Sequence, residues 1–179
     1  MPHPYPTLAR HVVRQHLVRR ELPMAEAAAR ELGPEAPLWH EAKACFVSIK
    51  TATGELRGCM GTFMPTQPAL GREIAANALL AAIKDPRFPP ITLNELDSLQ
   101  FSVDVLTLPE PVADITTLDP QRFGVIVTKD GHRGLLLPAL ESVTSVEQQL
   151  SIAASKAGLP GWQGADIQRF EVQRFTEKD

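Results

Sequence analysis

Apolar residues recur at helical spacing near the start of the chain. Leu8, Val12, Val13 and Leu17 form one stripe, with Arg10, Arg14 and Arg19 between them, and this predicts a helix over residues 7–22. Pro23 ends the pattern. The alanine-rich stretch from Met24 to Leu32 predicts a second short helix stopped by Gly33. Cys45-Phe46-Val47-Ser48-Ile49-Lys50 alternates with period two instead. Thr53-Gly54 then supplies a turn and Leu56 to Phe63 alternates again, so residues 45–63 read as a β-hairpin. From Pro68 to Lys84 the sequence is apolar around most of a helix. Arg72, Glu73 and Asn77 make its narrow polar edge, which predicts a largely buried helix.

Asp85-Pro86-Arg87-Phe88-Pro89-Pro90 stops that helix and forces an extended path, with Phe88 and the two prolines as a rigid apolar lip. Phe101 to Leu108 predicts a strand whose Ser102 and Asp104 side is wetter. Gly124–Val127 and Gly134–Leu137 predict a second hairpin, joined through Lys129-Asp130-Gly131-His132. Ser145 to Ala157 is a helix with a capping-box start (Ser145, Gln148) and a stop at Gly158. Ile167 to Phe175 is a last strand. Strands in hairpins with helices between them predict an α+β fold of antiparallel sheets flanked by helices, rather than a wound parallel sheet.

Composition narrows the function classes. The chain has 179 residues, enough for one domain with one or two lobes. A formal charge of −3 gives no basic face for nucleic acid. No window approaches a membrane span, and the first six residues lack the pattern of a signal peptide, so the expected location is the cytoplasm. No nucleotide-binding glycine fingerprint occurs. His11 and His16 are five apart, which puts them off a common helix face, and no Cys or His spacing supports zinc; neither a metal nor a cofactor is expected.

The segment Leu56-Arg57-Gly58-Cys59-Met60-Gly61 carries the candidate chemistry. By strand parity, Arg57 and Cys59 share one face and Leu56 and Met60 the other. A guanidinium beside a thiol favours the thiolate, the nucleophilic form, so Cys59 is the candidate nucleophile. Gly58 and Gly61 mark a bulge or a place where something approaches the backbone closely. The alternative is a packed cysteine, an arginine paired to a neighbouring carboxylate, and glycines that only bend the strand. Glu73 and Asn77 join as candidate ligand contacts if their helix packs beside the Cys59 strand; a solvated helix edge is the alternative. Arg87 is the remaining candidate, with pairing to Asp85 as its structural alternative. A hairpin turn at Thr53-Gly54 sets Cys59 opposite Ser48 or Ile49. Cys45 then lies roughly 10 Å or more away, too far for a disulfide.

Leu56-Arg57-Gly58-Cys59-Met60-Gly61-Thr62-Phe63 resembles the signature of the AMMECR family, also called AmmeMemoRadiSam system protein A. The resemblance continues in Asp85–Pro90, in Val103 to Pro111, in Gly134-Leu135-Leu136-Leu137-Pro138 and in Lys156-Ala157-Gly158-Leu159-Pro160, and spans residues 7 to 176 in order. It implies a two-lobed α+β fold. It also implies association with a Memo-like protein and a radical-SAM protein. Ala154 and Ser155 stand where the family often has a cysteine, which argues against a two-cysteine mechanism there.

Two functions follow from these residues. One is a small-molecule site, catalytic or not, centred on Arg57 and Cys59. The other is a non-catalytic module that docks a Memo-like or radical-SAM partner through the same surface. The first predicts that Cys59 reacts with a small electrophile faster than Cys45 in the folded protein; equal, slow labelling of both thiols would remove the reactive thiol.

Overall fold

The computed structural model describes residues 3–19, 38 and 40–178. The helix expected over 24–32 lies outside the described residues. The chain divides into two compact units, Met1–Val105 with Gln173–Asp179, and Leu106–Val172.

The first unit opens with helix α1, Pro4–Arg19. It begins three residues earlier than the apolar stripe indicates, because Pro4 and Pro6 sit in the first turn, where a missing N–H costs nothing. Strands β1 (Cys45–Lys50) and β2 (Leu56–Gly61) form the expected hairpin, and β3 (Gln100–Leu106) pairs with the other side of β1. All pairings are antiparallel, in the order β2-β1-β3. One face of this sheet buries Val47, Ile49, Phe101 and Val103 against α1 and against α2, Leu70–Leu79.

The expected single helix over 68–84 is two pieces. After Leu79 the chain continues as a π-helical turn, Leu80–Lys84. Ala75, Ala78, Ala81 and Ala82 are all buried, and their small side chains let the helix lie close to the strands. The approach is closest at Gly58, where a Cβ would stand 2.2 Å from the Ala81 carbonyl oxygen. A short helix α3, Leu93–Leu96, follows. Thr92 and Glu95 form a capping box there, a signal readable in the sequence as Thr-x-x-Glu.

The second unit is built from β4 (Glu110–Pro111), β5 (Phe123–Lys129), β6 (His132–Leu136) and the first part of β7 (Asp166–Thr176), antiparallel in the order β4-β7-β5-β6. Asp130 and Gly131 both have positive φ, which is why two residues suffice to turn β5 into β6. Helix α4 (Val146–Lys156) packs its Leu150, Ala153 and Ala154 on Val125, Val127 and Leu136 of this sheet. Ser145 Oγ accepts from Gln148 N–H at its start, and Gly158 at φ 73° ends it. The Gln148 side chain bonds Thr144 N–H rather than Ser145 N–H, so the box is shifted by one residue.

The architecture is α+β, with antiparallel sheets flanked by helices. Gly58→Ala is expected to lower stability by about 1–3 kcal/mol, the usual cost of overpacking, read as a lower denaturation midpoint. An unchanged midpoint would show that the helix does not press on β2 in solution.

Candidate functional site

Strand β2 is an edge strand, and its pairing with β1 is irregular. Ile49 pairs with Gly58 and Lys50 with Leu56, so Arg57 has no partner and forms a bulge. The extra residue breaks the alternation of faces. Gly58 and Met60 follow Ile49 and Val47 toward the core, whereas Cys59 and Gly61 follow Ser48 and Phe46 to the opposite face. Arg57 and Cys59 therefore do not share a face in the simple sense that parity predicts.

Arg57 is directed instead at the lip. Its Nη1 donates to Pro89 O at 2.8 Å, and its Nη2 donates to Glu95 Oε1 at 2.8 Å and to Pro90 O. The prolines lend acceptors without competing donors. Arg57 thus ties the bulge to Pro89, Pro90 and α3, and the guanidinium that acts on the thiol is a different one.

That guanidinium belongs to Arg87. The Asp85 carboxylate is buried, with its side chain 2% exposed. It accepts the Cys59 N–H through Oδ2 at 3.0 Å and takes the Arg87 Nε and Nη2 on its two oxygens at 2.9 and 2.7 Å. Arg87 Nη2 also donates to Cys59 O at 3.2 Å. The Asp85–Arg87 pair thus meets the outward N–H and C=O of Cys59 as a neighbouring strand would. The Arg87 guanidinium, with added help from the Cys59 and Arg87 N–H groups, holds the Asp85 carboxyl well below the usual carboxylate range.

The Cys59 face continues across the sheet. Ser48 lies in register with both Cys59 and Ser102, and Phe46 with both Gly61 and Asp104. Ser48 Oγ donates to Cys59 Sγ at 3.2 Å. Asp104 is buried, and Arg174 of β7 grips its carboxylate at 2.7 and 2.8 Å. Burial pushes the Cys59 thiol up from its ordinary value. The Ser48 hydrogen bond and the Arg87 charge pull it the other way, and Asp104 and Asp85 add to the rise.

The remaining candidates have definite places. Gly61 has no room for a Cβ, which would meet Cys45 O at 2.4 Å and the Phe46 ring at 2.5 Å. The space at Gly58 and at Gly61 is therefore filled by the protein's own atoms. Glu73 is fully buried, not at a solvated edge. It accepts from the N–H groups of Thr66 and Gln67 and from the hydroxyls of Thr62 and Thr66, so it organises the loop after β2. Asn77 Nδ2 donates to Cys45 O at 3.1 Å and lies 3.6 Å from its sulfur. Both cysteines are free thiols, and burial pushes Cys45 up to about 12. His132 is exposed at the start of β6. Ser48, Asp104 and Arg174 were not among the sequence candidates. The wetter side of the β3 pattern flagged Asp104, but nothing local flags Arg174, which lies 70 residues from its partner.

Among the described residues no helix is long and apolar enough to cross a membrane, and no three His, Cys, Asp or Glu side chains are grouped as metal ligands would be.

Asp85→Asn is expected to cost about 1.5–3 kcal/mol at neutral pH, the usual range for a hydrogen bond to a charged group. The sign with pH follows from the lowered folded-state pKa. The carboxylate's contribution is complete above its unfolded pKa of about 3.9 and is lost as pH falls through the folded value. The stability gap between wild type and variant should therefore narrow in denaturation series run from pH 5 toward pH 2. A constant gap would contradict the pairing.

Comparison with known proteins agrees with this architecture. The AMMECR1 family model matches residues 6–175. A Thermotoga maritima protein is 53% identical over 131 residues, covering 73% of this chain and 75% of its own. A Clostridium acetobutylicum protein is 46% identical over 132 residues, covering 74% of this chain but 28% of its own, so there the similarity is to one part of a longer protein. The crystal structure of an uncharacterized protein from Pyrococcus horikoshii superimposes with a TM-score of 0.84 at 30% identity, over 95% of this chain and 88% of that one. By fold and by sequence over nearly its whole length, the chain belongs to the AMMECR1 family.

Proposed function

We propose that the Cys59 face of the first unit binds a small anionic molecule, with Arg87 and Arg174 taking its charge and the Cys59 thiol beside it. One observation carries this reading: the acceptors near Cys59 are consumed and strong donors are left over. The Asp85 and Asp104 carboxylates are each gripped by one arginine through Nε and Nη2. The Arg87 guanidinium lies over the Phe88 ring, but Nη1 of Arg87 and Nη1 of Arg174 donate to no acceptor among the described residues, and both side chains are about half exposed, at 54% and 49%. The Ser102 hydroxyl also has no partner there. Guanidiniums already fixed by buried carboxylates lose little freedom on meeting a carboxylate or phosphate.

Cys59 enters this site as a neutral thiol, because burial outweighs the help from Ser48 and Arg87. A nucleophilic role needs a base to take the thiol proton, and the nearby carboxylates are engaged by their arginines. Binding therefore has more support than covalent catalysis. The centre of the site is Cys59 with Arg87 and Arg174; Arg57 shapes the strand that carries it.

The test is an NMR titration of isotope-labelled protein with a panel of small carboxylates and phosphate esters, paired with alkylation of Cys59. Saturable shifts at Ser48, Cys59 and Ser102 are expected, together with slower alkylation of Cys59 in the bound state. Arg87→Lys should weaken binding about tenfold or more, in line with the worth of a hydrogen bond to a charged group. No saturable shift with any anion would remove this reading. Capture of a Memo-like or radical-SAM protein through these residues, with no small anion bound, would put the docking function in its place.

A further inference from the structure

Resting on the anion-binding reading, we infer that the ligand is a bis-anion: a small molecule with two negatively charged ends and an apolar middle. The two guanidiniums reach the Cys59 face from opposite sides. Arg87 comes over the free edge of β2, where it bonds Cys59 O. Arg174 bonds Asp104 on β3, and β1 lies between the two strands. Two strand spacings separate β2 from β3, about 9–10 Å. Direct charge-assisted contacts are only about 2.7–2.9 Å long. A single carboxylate or phosphate therefore satisfies one guanidinium and leaves the other in solvent.

The ground between the arginines fits the middle of such a molecule. Ser48 and Ser102 offer neutral hydroxyls in one cross-strand row. In the next row lies Phe46, half-buried, its ring filling the space over Gly61. A Cβ on Gly61 would stand 2.5 Å from Phe46 Cγ, so the glycine lets the ring lie down across the sheet. A short carbon chain or a flat ring packs on this aromatic while its ends meet Arg87 and Arg174. Once one end is bound, the second contact is intramolecular, and that is the source of the extra affinity.

The experiment is isothermal titration of the full chain with linear dicarboxylates of about four to eight carbons, chosen to bracket the strand spacing, and with monocarboxylates of matching length. One member of the dicarboxylate series is expected to bind at least about tenfold more tightly than its monocarboxylate. That advantage should vanish in Arg87→Lys and in the double variant Asp104→Asn with Arg174→Gln, which removes the guanidinium without leaving a buried carboxylate unpaired. If the double variant fails to fold by circular dichroism, Arg174→Lys carries the same test, because it keeps a cation beside Asp104. Equal affinity for the two acid classes, or an advantage that survives in the variants, overturns the bis-anion inference and leaves the anion-binding reading standing. Absence of binding by every acid overturns both.

Discussion

The contact on which the rest of the site depends is the one between the Asp85 carboxylate and the Cys59 N–H. An edge strand leaves alternate backbone groups without a partner, and water or another chain ordinarily takes them. Here a buried carboxylate takes the donor, and the arginine two residues later takes the acceptor of the same residue. The carboxylate is stable in the interior because its oxygens are met by a guanidinium and two N–H groups. The guanidinium in turn is held still, with one edge committed inward, Phe88 beneath it and Nη1 donating to no acceptor among the described residues. A structural closure of the sheet and an oriented positive group beside a thiol are thus the same interaction.

Placing Asp85 there requires the helix before it to lie against β2. The π turn from Leu80 to Lys84 delivers the chain to Asp85, and its Ala81 carbonyl rests on the bare Gly58 backbone. Any side chain at Gly58 pushes that turn away from the strand and carries Asp85 with it. The alanines of the same helix, the glycine of the strand and the carboxylate after the turn therefore form one mechanical unit. Met60, one residue beyond Cys59, anchors the strand to the core on the face opposite the thiol.

Much of the fold was legible because its elements obey simple periods. The two hairpins, the buried alanine helix and the capped helix before Gly158 were each announced by local pattern. The site was legible in part. Gly58 marks a bulge or a point of close approach in the sequence; it is the point of close approach, to the Ala81 carbonyl, while the bulge falls at its neighbour Arg57. Parity failed for Arg57 because an inserted residue breaks the alternation across it, and a glycine that hints at a bulge does not say which residue is inserted. Pairing of Asp85 with Arg87 was legible from their spacing. Their joint grip on Cys59 was not, since it spans 26 residues and depends on the π turn. Arg174 reaches the same face from the last strand, a long-range contact that periodicity cannot carry. Glu73 looked like a solvated edge because a lone acid on an apolar helix does; the loop it gathers, Thr62 to Gln67, supplies enough donors to bury it.

The central claim is that the Asp85–Arg87 clamp holds Cys59 as a neutral, half-buried thiol at the head of a donor-rich face, rather than as an activated thiolate. The pH profile of Cys59 alkylation, followed by mass spectrometry so that Cys45 is scored separately, tests it most directly. The account predicts a rate that is still rising above the ordinary thiol value of about 8.5, because burial outweighs the cation beside it. A rate that reaches its plateau below pH 7 would contradict the account and make Cys59 a thiolate nucleophile.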